Sequence, residues 1–166
     1  MNVKLMKVKE EQKSILAHLI ELYEYDFSEF EDNDVNAYGL YGYSYLDYYW
    51  TEAGRYAYFI QVDGKLAGFA MVCGYCYVSK KPDTHSMAEF FVMKKYRRRG
   101  IGNQAALEVM KRHPGSWELM VHPNNPVSHV FWENVIRQAA SGEKKTVENV
   151  EGVYENGLGT AYLFQV

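Results

Sequence analysis

The sequence predicts an α/β (α+β) fold, in which helices and strands surround one mixed β-sheet. Apolar residues recur with helical spacing in some segments and alternate as in strands in others. An Asp-Gly pair at 63–64 indicates a hairpin, and a strand, a helix and a strand follow one another between 85 and 121. A chain of 166 residues can form one domain with its own core, and none of it resembles a linker, so we expect residues 1–166 to form a single domain.

The N-terminal part contains a strand, a helix and a poorly patterned region. Val3 to Val8 alternates apolar and polar residues, as a strand does. From about Glu10 an apolar stripe predicts a helix. Residues 25–38 are rich in Asn and Asp and predict a loop, after which 41–51 predicts a second short helix.

Two strands follow, over 55–62 and 65–78, and Asp63-Gly64 joins them as an antiparallel hairpin. The second strand contains Cys73 and Cys76. Positions three apart in a strand point to opposite faces, which suits neither a disulfide nor a shared metal ion. We therefore expect buried or half-buried thiols in a reducing cytoplasm.

The C-terminal half alternates strands and helices. Because a helix joins the first two of these strands, they are expected to pair in parallel. The predicted elements are a strand over 85–93, a helix from Gly100 to His113, a strand over 117–121, a helix over 126–139, and a hairpin in 145–166 around Asn156-Gly157.

Composition excludes several classes of protein. No apolar run approaches the roughly 18 residues that span a bilayer, which argues against membrane insertion and secretion and favours the cytoplasm. The formal net charge of −3 argues against a nucleic-acid partner. The charge is also uneven, since Ser14 to Gly54 contains no Lys or Arg but many acidic and aromatic residues.

A basic, glycine-containing turn lies between the 85–93 strand and the next helix, and it reads Arg97-Arg-Arg-Gly-Ile-Gly102. The first turn of a helix has unpartnered N–H groups and positive partial charge, which suits an anion. A solvated basic turn is the alternative. The turn also matches the dinucleotide fingerprint G-x-G-x-x-A, but His122-Pro123 stands where that fingerprint needs an acidic residue.

Two motifs resemble those of the GNAT superfamily of acetyl-CoA-dependent N-acyltransferases. Arg97 to Gly102 matches [QR]-x-x-G-x-[GA], and Asn125 to Trp132 is similar to N-x-x-[AS]-x-x-[FL]-Y. The strand from Glu89 to Met93 resembles that of the diamine acetyltransferases. The resemblance covers most of the chain and implies a mostly antiparallel sheet of six to seven strands with helices on both faces. Because dimers are frequent in the family, it also allows a homodimer.

The resemblance implies a site for acetyl-CoA. The diphosphate would lie on the backbone N–H groups of Arg98 to Asn103, and the pantetheine arm would pair with Phe90 to Val92, on a strand that bulges and splays from its parallel neighbour. A backbone N–H near Phe91 or Val92 would stabilise the oxyanion. The full set implied for the cofactor is Phe90, Phe91, Val92, Arg97, Arg98, Arg99, Gly100, Ile101, Gly102, Asn103, Asn125 and Ser128.

The catalytic chemistry needs a base, because a primary amine is mostly protonated at neutral pH. Glu89 is the best candidate, and a structural carboxylate is the alternative. His85, His122 and His129 are weaker candidates by chemistry. The superfamily's usual acid, a tyrosine, is replaced by Trp132, so water or another donor must assist the thiolate, or activity is slow or lost.

The acceptor is expected near the acidic, aromatic stretch, where Tyr25, Asp26 and Glu29 would bind it. Carboxylates and aromatic faces favour a small cationic amine, such as a polyamine or an amino sugar. A solvated acidic surface is the alternative. The sequence thus favours a metal-free N-acetyltransferase with direct transfer to a small-molecule amine. An idle acyl-CoA-binding sensor and a protein lysine or N-terminal acetyltransferase remain alternatives.

Overall fold

The computed structural model describes residues 1–155 and 157–166, so Asn156, at the tip of the predicted last hairpin, lies outside the described residues. The strands are β1 Val3–Lys7, β2 Tyr56–Val62, β3 Lys65–Cys73, β4 His85–Val92, β5 Ser116–Val121, β6 Lys145–Tyr154 and β7 Gly157–Gln165. The helices are α1 Lys13–Phe27, α2 Tyr48–Thr51, α3 Ile101–Arg112 and α4 Pro126–Ala139.

The strands form one seven-stranded sheet in the order β1-β2-β3-β4-β5-β7-β6. Within the described ranges, β4 and β5 pair in parallel, and the other neighbouring strands are antiparallel. The predicted fold class, including its parallel strand-helix-strand unit, is confirmed. The two-residue turn at Asp63-Gly64 joins β2 to β3, with Val62 paired to Lys65.

Helices cover both faces of the sheet, and each face has its own core. On one face, α3 and α4 bury Ile101, Val109 and Val135 against the sheet. On the other face, α1 and α2 bury residues such as Leu16 and Tyr49. Among residues 1–155 and 157–166, no helix combines the length and the apolar character needed to cross a membrane.

Two predicted elements are shorter than expected. β3 ends at Cys73 rather than at residue 78, because the following backbone turns to Glu118 of β5. The fully buried Glu118 carboxylate accepts hydrogen bonds from the N–H groups of Tyr77 at 2.7 Å, Val78 at 3.1 Å and Ser79 at 2.7 Å. Cys76 therefore lies in a loop, where burial raises the pKa of its thiol to about 12, and Cys76 and Cys73 are both free thiols.

The predicted helix over 41–51 is reduced to the single turn of α2. The N–H groups of Tyr41 and Gly42 are instead taken by the carboxylate of Glu21 on α1, at 2.8 and 2.9 Å. Gly42 has φ of 77°, outside the range of a right-handed helix, so the chain held by Glu21 does not enter a helix until Tyr48.

Candidate active site

β4 and β5 pair over only two positions and then separate. His85 pairs with Trp117 and Ser86 with Glu118, and the pairing of the two strands ends there. β4 also bulges against β3, because Met71 pairs with Glu89 and Val72 with Met87, which leaves the intervening Ala88 outside the register. The bulge and splay implied by the resemblance are thus present, and the β5-facing edge of residues 89–92 is open to an added strand.

Gly68 of β3 allows β3 to lie close to this part of β4. A Cβ atom at Gly68 would overlap the carbonyl oxygen of Phe91 and lie 3.0 Å from the Cα of Val92. Any larger residue would have to push the two strands apart. Gly68 therefore fixes the position of the β4 segment that borders the gap between β4 and β5.

The basic turn leads from β4 into the N-terminus of α3. Gly100, with φ of 75°, caps the helix in the left-handed conformation, and Arg98 has φ of 58°. The side chains of Arg98 and Arg99 are exposed. A Cβ atom at Gly102 would lie 3.3 Å from the ring of Phe131 on α4, so this glycine also permits α3 and α4 to pack closely.

Arg97, predicted to bind the cofactor, contacts Asp26, predicted to bind the acceptor. The guanidinium of Arg97 binds the carboxylate of Asp26, and Arg97 Nε donates to the carbonyl of Val92 at 2.6 Å. Lys94 Nζ lies 3.3 Å from the same Asp26 carboxylate. This cluster ties the end of α1 to the end of β4. Tyr25 and Glu29 are exposed nearby in sequence.

Glu89 lies next to the bulge, on the α1 face of the sheet, and tyrosines surround its carboxylate. Tyr43 donates a hydrogen bond of 3.0 Å to Oε1, and the hydroxyl of Tyr23 on α1 lies beside the same carboxylate. Burial raises the pKa of Glu89 to about 7, and the charge of Glu24 adds to this effect, whereas the hydroxyls of Tyr23 and Tyr43 oppose it. A carboxyl with this pKa exchanges a proton readily at neutral pH.

Other groups around Glu89 come from distant parts of the chain. Burial raises the hydroxyl pKa of Tyr154 from β6 and of Tyr77 from the β3–β4 loop. The charge of Glu89 raises both pKa values further. Burial also raises the pKa of Glu24 to about 7, together with the charges of Glu21 and Glu31. Glu89 thus lies among tyrosines and near a second acidic side chain, Glu24.

Three tyrosines of the site, Tyr23, Tyr43 and Tyr154, were not predicted from the sequence. The only signal for Tyr23 and Tyr43 was the density of tyrosines between 14 and 54, and it did not single out either of them. Nothing near Tyr154 in the sequence points to the site, because Tyr154 reaches it only through the β6–β7 hairpin.

The start of α4 lies near the gap between β4 and β5, on the sheet face opposite to Glu89. Asn125 caps this helix by accepting a hydrogen bond of 3.0 Å from the N–H of Ser128. Trp132 is buried, with its ring centroid 5.2 Å from that of Phe90 and 4.8 Å from that of Phe131. These three rings form an apolar wall where the family pattern has a tyrosine hydroxyl.

The other candidate bases have separate surroundings. His85 packs against Trp117 at 5.4 Å between ring centroids. His129 Nδ1 lies 2.9 Å from the hydroxyl of Tyr162. His122 is buried at the end of β5, and Glu31 lies beside it. In the described part of the chain, no group of three His, Cys, Asp or Glu side chains is arranged to hold a metal ion.

Comparisons with known proteins agree with this geometry. A model of the acetyltransferase (GNAT) family matches residues 18–135. No curated protein sequence matches the chain.

Several solved structures have a similar fold at low sequence identity. An acetyltransferase from Thermus thermophilus aligns with a TM-score of 0.72 at 14% identity, covering 100% of this chain and 98% of that protein. Spermidine N-acetyltransferase from Vibrio cholerae, solved with CoA and spermine, has a TM-score of 0.64 at 10% identity and coverage of 99% and 94%. Diaminobutyrate acetyltransferase from Paenibacillus lautus, solved with its substrate and coenzyme A, has a TM-score of 0.66 at 14% identity and coverage of 99% and 95%.

Proposed function

The chain belongs to the acetyltransferase (GNAT) family, and on that basis we propose that it transfers the acetyl group of acetyl-CoA directly to a small cationic amine. The observation that carries this proposal is the Glu89 carboxyl, whose pKa is raised to about 7 beside the open edge of β4. Its surroundings are acidic and rich in tyrosines, which favours a cationic guest. Structural neighbours that act on spermidine and diaminobutyrate support the same class of acceptor.

Acetyl-CoA is the cosubstrate, and the described residues suit it. The unpartnered N–H groups at the start of α3 and the exposed side chains of Arg98 and Arg99 supply donors and positive charge for its phosphates. The open edge of Phe90 to Val92 can hydrogen-bond to the pantetheine arm as an added strand would. Asn125 and Ser128 lie at the start of α4 on the other side of the gap.

Glu89 removes the proton that blocks the reaction. An ammonium ion has no lone pair, so the acceptor loses a proton to the Glu89 carboxylate, directly or through one water, before its nitrogen attacks the thioester carbonyl. The C–N bond then forms, the C–S bond breaks, and the second proton that the nitrogen loses passes through water to the thiolate. A backbone N–H at Phe91 or Val92 stabilises the oxyanion between C–N bond formation and C–S bond cleavage.

α4 contains no tyrosine to protonate the leaving thiolate in the way the family's tyrosine does. Trp132 occupies the position of the family's tyrosine, and an indole N–H is not an acid at neutral pH. A thiol with a pKa near the roughly 8.5 of cysteine leaves as a thiolate with only modest assistance from water. The apolar wall of Phe90, Phe131 and Trp132 also favours a second candidate function, an acyl-CoA-binding sensor that does not turn over.

The test is thiol release from acetyl-CoA by the purified protein with diamines, aminoglycosides, amino acids and lysine peptides, together with calorimetric titration of coenzyme A. We expect turnover with small cationic amines, and we expect Glu89→Gln to lower kcat by about 100-fold with unchanged coenzyme A affinity. Glu151→Gln, an exposed change of the same chemistry on β6, is the matched control.

Three results would contradict the proposal. Tight coenzyme A binding without turnover on any acceptor would favour the sensor. Preference for lysine peptides would favour a protein acetyltransferase. Full activity of the Glu89→Gln variant would remove Glu89 from catalysis.

A further inference from the structure

A buried carboxylate just beyond the end of α1 has no hydrogen-bond partner among the described residues. Both Oε atoms of Glu31 and Nε2 of His122 are enclosed and lack hydrogen bonds within that part of the chain. Glu31 Oε1 and His122 Nε2 lie 3.4 Å apart, but they do not meet hydrogen-bond geometry. An unpaired carboxylate in such surroundings is costly, and proteins retain such groups mainly where they have a function.

His122 does not satisfy the hydrogen-bonding capacity of Glu31. Its Nδ1 accepts a hydrogen bond of 3.1 Å from the N–H of Asn124, so in the neutral ring the proton is on Nε2, facing Glu31. Burial lowers the pKa of His122, although the nearby Glu31 opposes this. His122 therefore contributes one neutral donor at most, and most of the acceptor capacity of Glu31 stays unused among the described residues.

Aromatic rings surround His122, the neighbour of Glu31. The His122 ring centroid lies 4.5 Å from that of Tyr154 and 5.8 Å from those of Phe27 and Phe30. A carboxylate among aromatic faces is the arrangement that recognises ammonium groups, because the rings attract a cation and the oxygens accept its N–H bonds. We call Glu31, His122, Phe27, Phe30 and Tyr154 the aromatic box.

The aromatic box and Glu89 belong to one electrostatic region. The charges of both Glu89 and Glu31 raise the pKa of the Tyr154 hydroxyl, in addition to the larger effect of burial. Burial is also the larger cause of the raised pKa values of Glu24 and Glu89. The charge of Glu31 adds to the rise for Glu24, and the charge of Glu24 adds to the rise for Glu89. The geometry agrees, because the ring centroid of Tyr23, whose hydroxyl lies beside Glu89, is 5.6 Å from that of Phe27 in the aromatic box. One elongated guest can therefore extend from the aromatic box to Glu89.

We propose that the aromatic box binds a second ammonium group of the acceptor, so that the enzyme selects diamines whose other nitrogen is presented to Glu89. This inference rests on the proposed function and specifies its substrate. Because the Glu31 oxygens are enclosed, the turn that carries Phe30 and Glu31 must shift to admit the ammonium group. The preferred diamine length then reports the distance between the aromatic box and Glu89.

The test compares 1,4-diaminobutane with 1-aminopentane, which replaces the second ammonium by a methyl group at almost equal length. For the wild-type protein we expect a KM for the diamine about ten- to hundredfold lower. Glu31→Gln, which keeps the shape and removes the charge, should abolish most of this difference by raising the diamine KM. Asp32→Asn, an exposed neighbouring change of the same kind, should leave both KM values unchanged.

A stability measurement separates this role from a structural one. Since Glu31 has no hydrogen-bond partner among the described residues, Glu31→Gln should melt at the same or a higher temperature. Equal KM values for the two amines in the wild type would overturn the proposal, and so would a destabilised Glu31→Gln variant that keeps the preference for diamines.

A binding measurement distinguishes failure of this inference from failure of the proposed function. If no amine is acetylated, calorimetric titration of 1,4-diaminobutane into the coenzyme A complex still tests the aromatic box. Binding that is lost in Glu31→Gln and retained in Asp32→Asn would support it. Absence of binding by the wild type would overturn it.

Discussion

Tyr43 donates its hydroxyl proton to Glu89 Oε1 across 3.0 Å, and the two residues are 46 positions apart in the chain. This hydrogen bond is stronger to the carboxylate than to the carboxylic acid, so it lowers the pKa of Glu89. Burial acts in the opposite direction and is the larger effect, which gives a pKa of about 7. The loop before α2 therefore helps to set the pH at which the candidate base works.

Replacing Tyr43 by Phe should move the pH dependence of activity. Without its hydrogen bond the carboxylate is less stable, so the pKa of Glu89 rises and the active, deprotonated form appears only at higher pH. The acidic limb of kcat/KM should shift upward by about one pH unit. Tyr38→Phe, at a side chain that is 88% exposed, is the control. A limb that does not move in the Tyr43 variant would show that Glu89 is not the titrating base.

Glu24 should make stability depend on pH in an unusual direction for a carboxyl. Its pKa in the folded protein is raised by burial to about 7, above the ordinary value of 4.5. Between these values the unfolded chain holds fewer protons than the folded one, so this group's contribution to the free energy of unfolding falls as pH rises from about 4.5 to 7.

Glu24→Gln removes that dependence. From about pH 5 to pH 7.5, we expect the free energy of unfolding of the variant to rise by about 1 to 2 kcal/mol relative to that of the wild type. This is less than the full pKa shift implies, because Glu24 is only partly buried and solvent screens its charge. Urea unfolding at the two pH values measures the difference, and Glu151→Gln provides an exposed reference. A constant difference between variant and wild type at both pH values would contradict the raised pKa.

Gly68→Ala should destabilise the fold at the β4 bulge. The added methyl group would overlap the carbonyl oxygen of Phe91, and the nearby groups are backbone atoms that cannot rotate away. We expect a loss of about 2 to 4 kcal/mol in the free energy of unfolding, measured by urea denaturation. Gly142→Ala is the matched control, because a Cβ atom there would have nothing within 4 Å among the described residues. Equal stability of both variants would mean that β3 and β4 separate more easily than the structure indicates.

The elements that were predicted correctly from the sequence are those that residues close together in the chain determine. The Asp63-Gly64 turn, the glycine-capped start of α3 and the strand β4 depend on neighbouring residues, and each is present. The family motifs located Glu89 beside the splay for the same reason, since β4 and the basic turn are contiguous in the chain.

The remaining features depend on contacts between distant residues. Asp26 was expected to contact the acceptor, but nothing in its sequence surroundings reveals that Arg97, 71 positions away, binds its carboxylate. The early end of β3 likewise depends on Glu118, about 40 positions from the loop that it holds. Tertiary hydrogen bonds of this kind override local propensity, and a single sequence does not reveal them.

Arg98→Ala should weaken coenzyme A binding through lost electrostatic attraction. The side chain is exposed beside the N-terminus of α3, so we expect calorimetry to show a loss of about five- to tenfold in affinity at low salt, shrinking as salt screens the charge. Lys145→Ala, which removes one exposed positive charge from the start of β6, should change affinity little. The loss should persist with dephospho-coenzyme A if Arg98 acts on the diphosphate. If it disappears with that ligand, Arg98 contacts the 3′-phosphate, and an unaltered affinity for both ligands would move the phosphate site away from this turn.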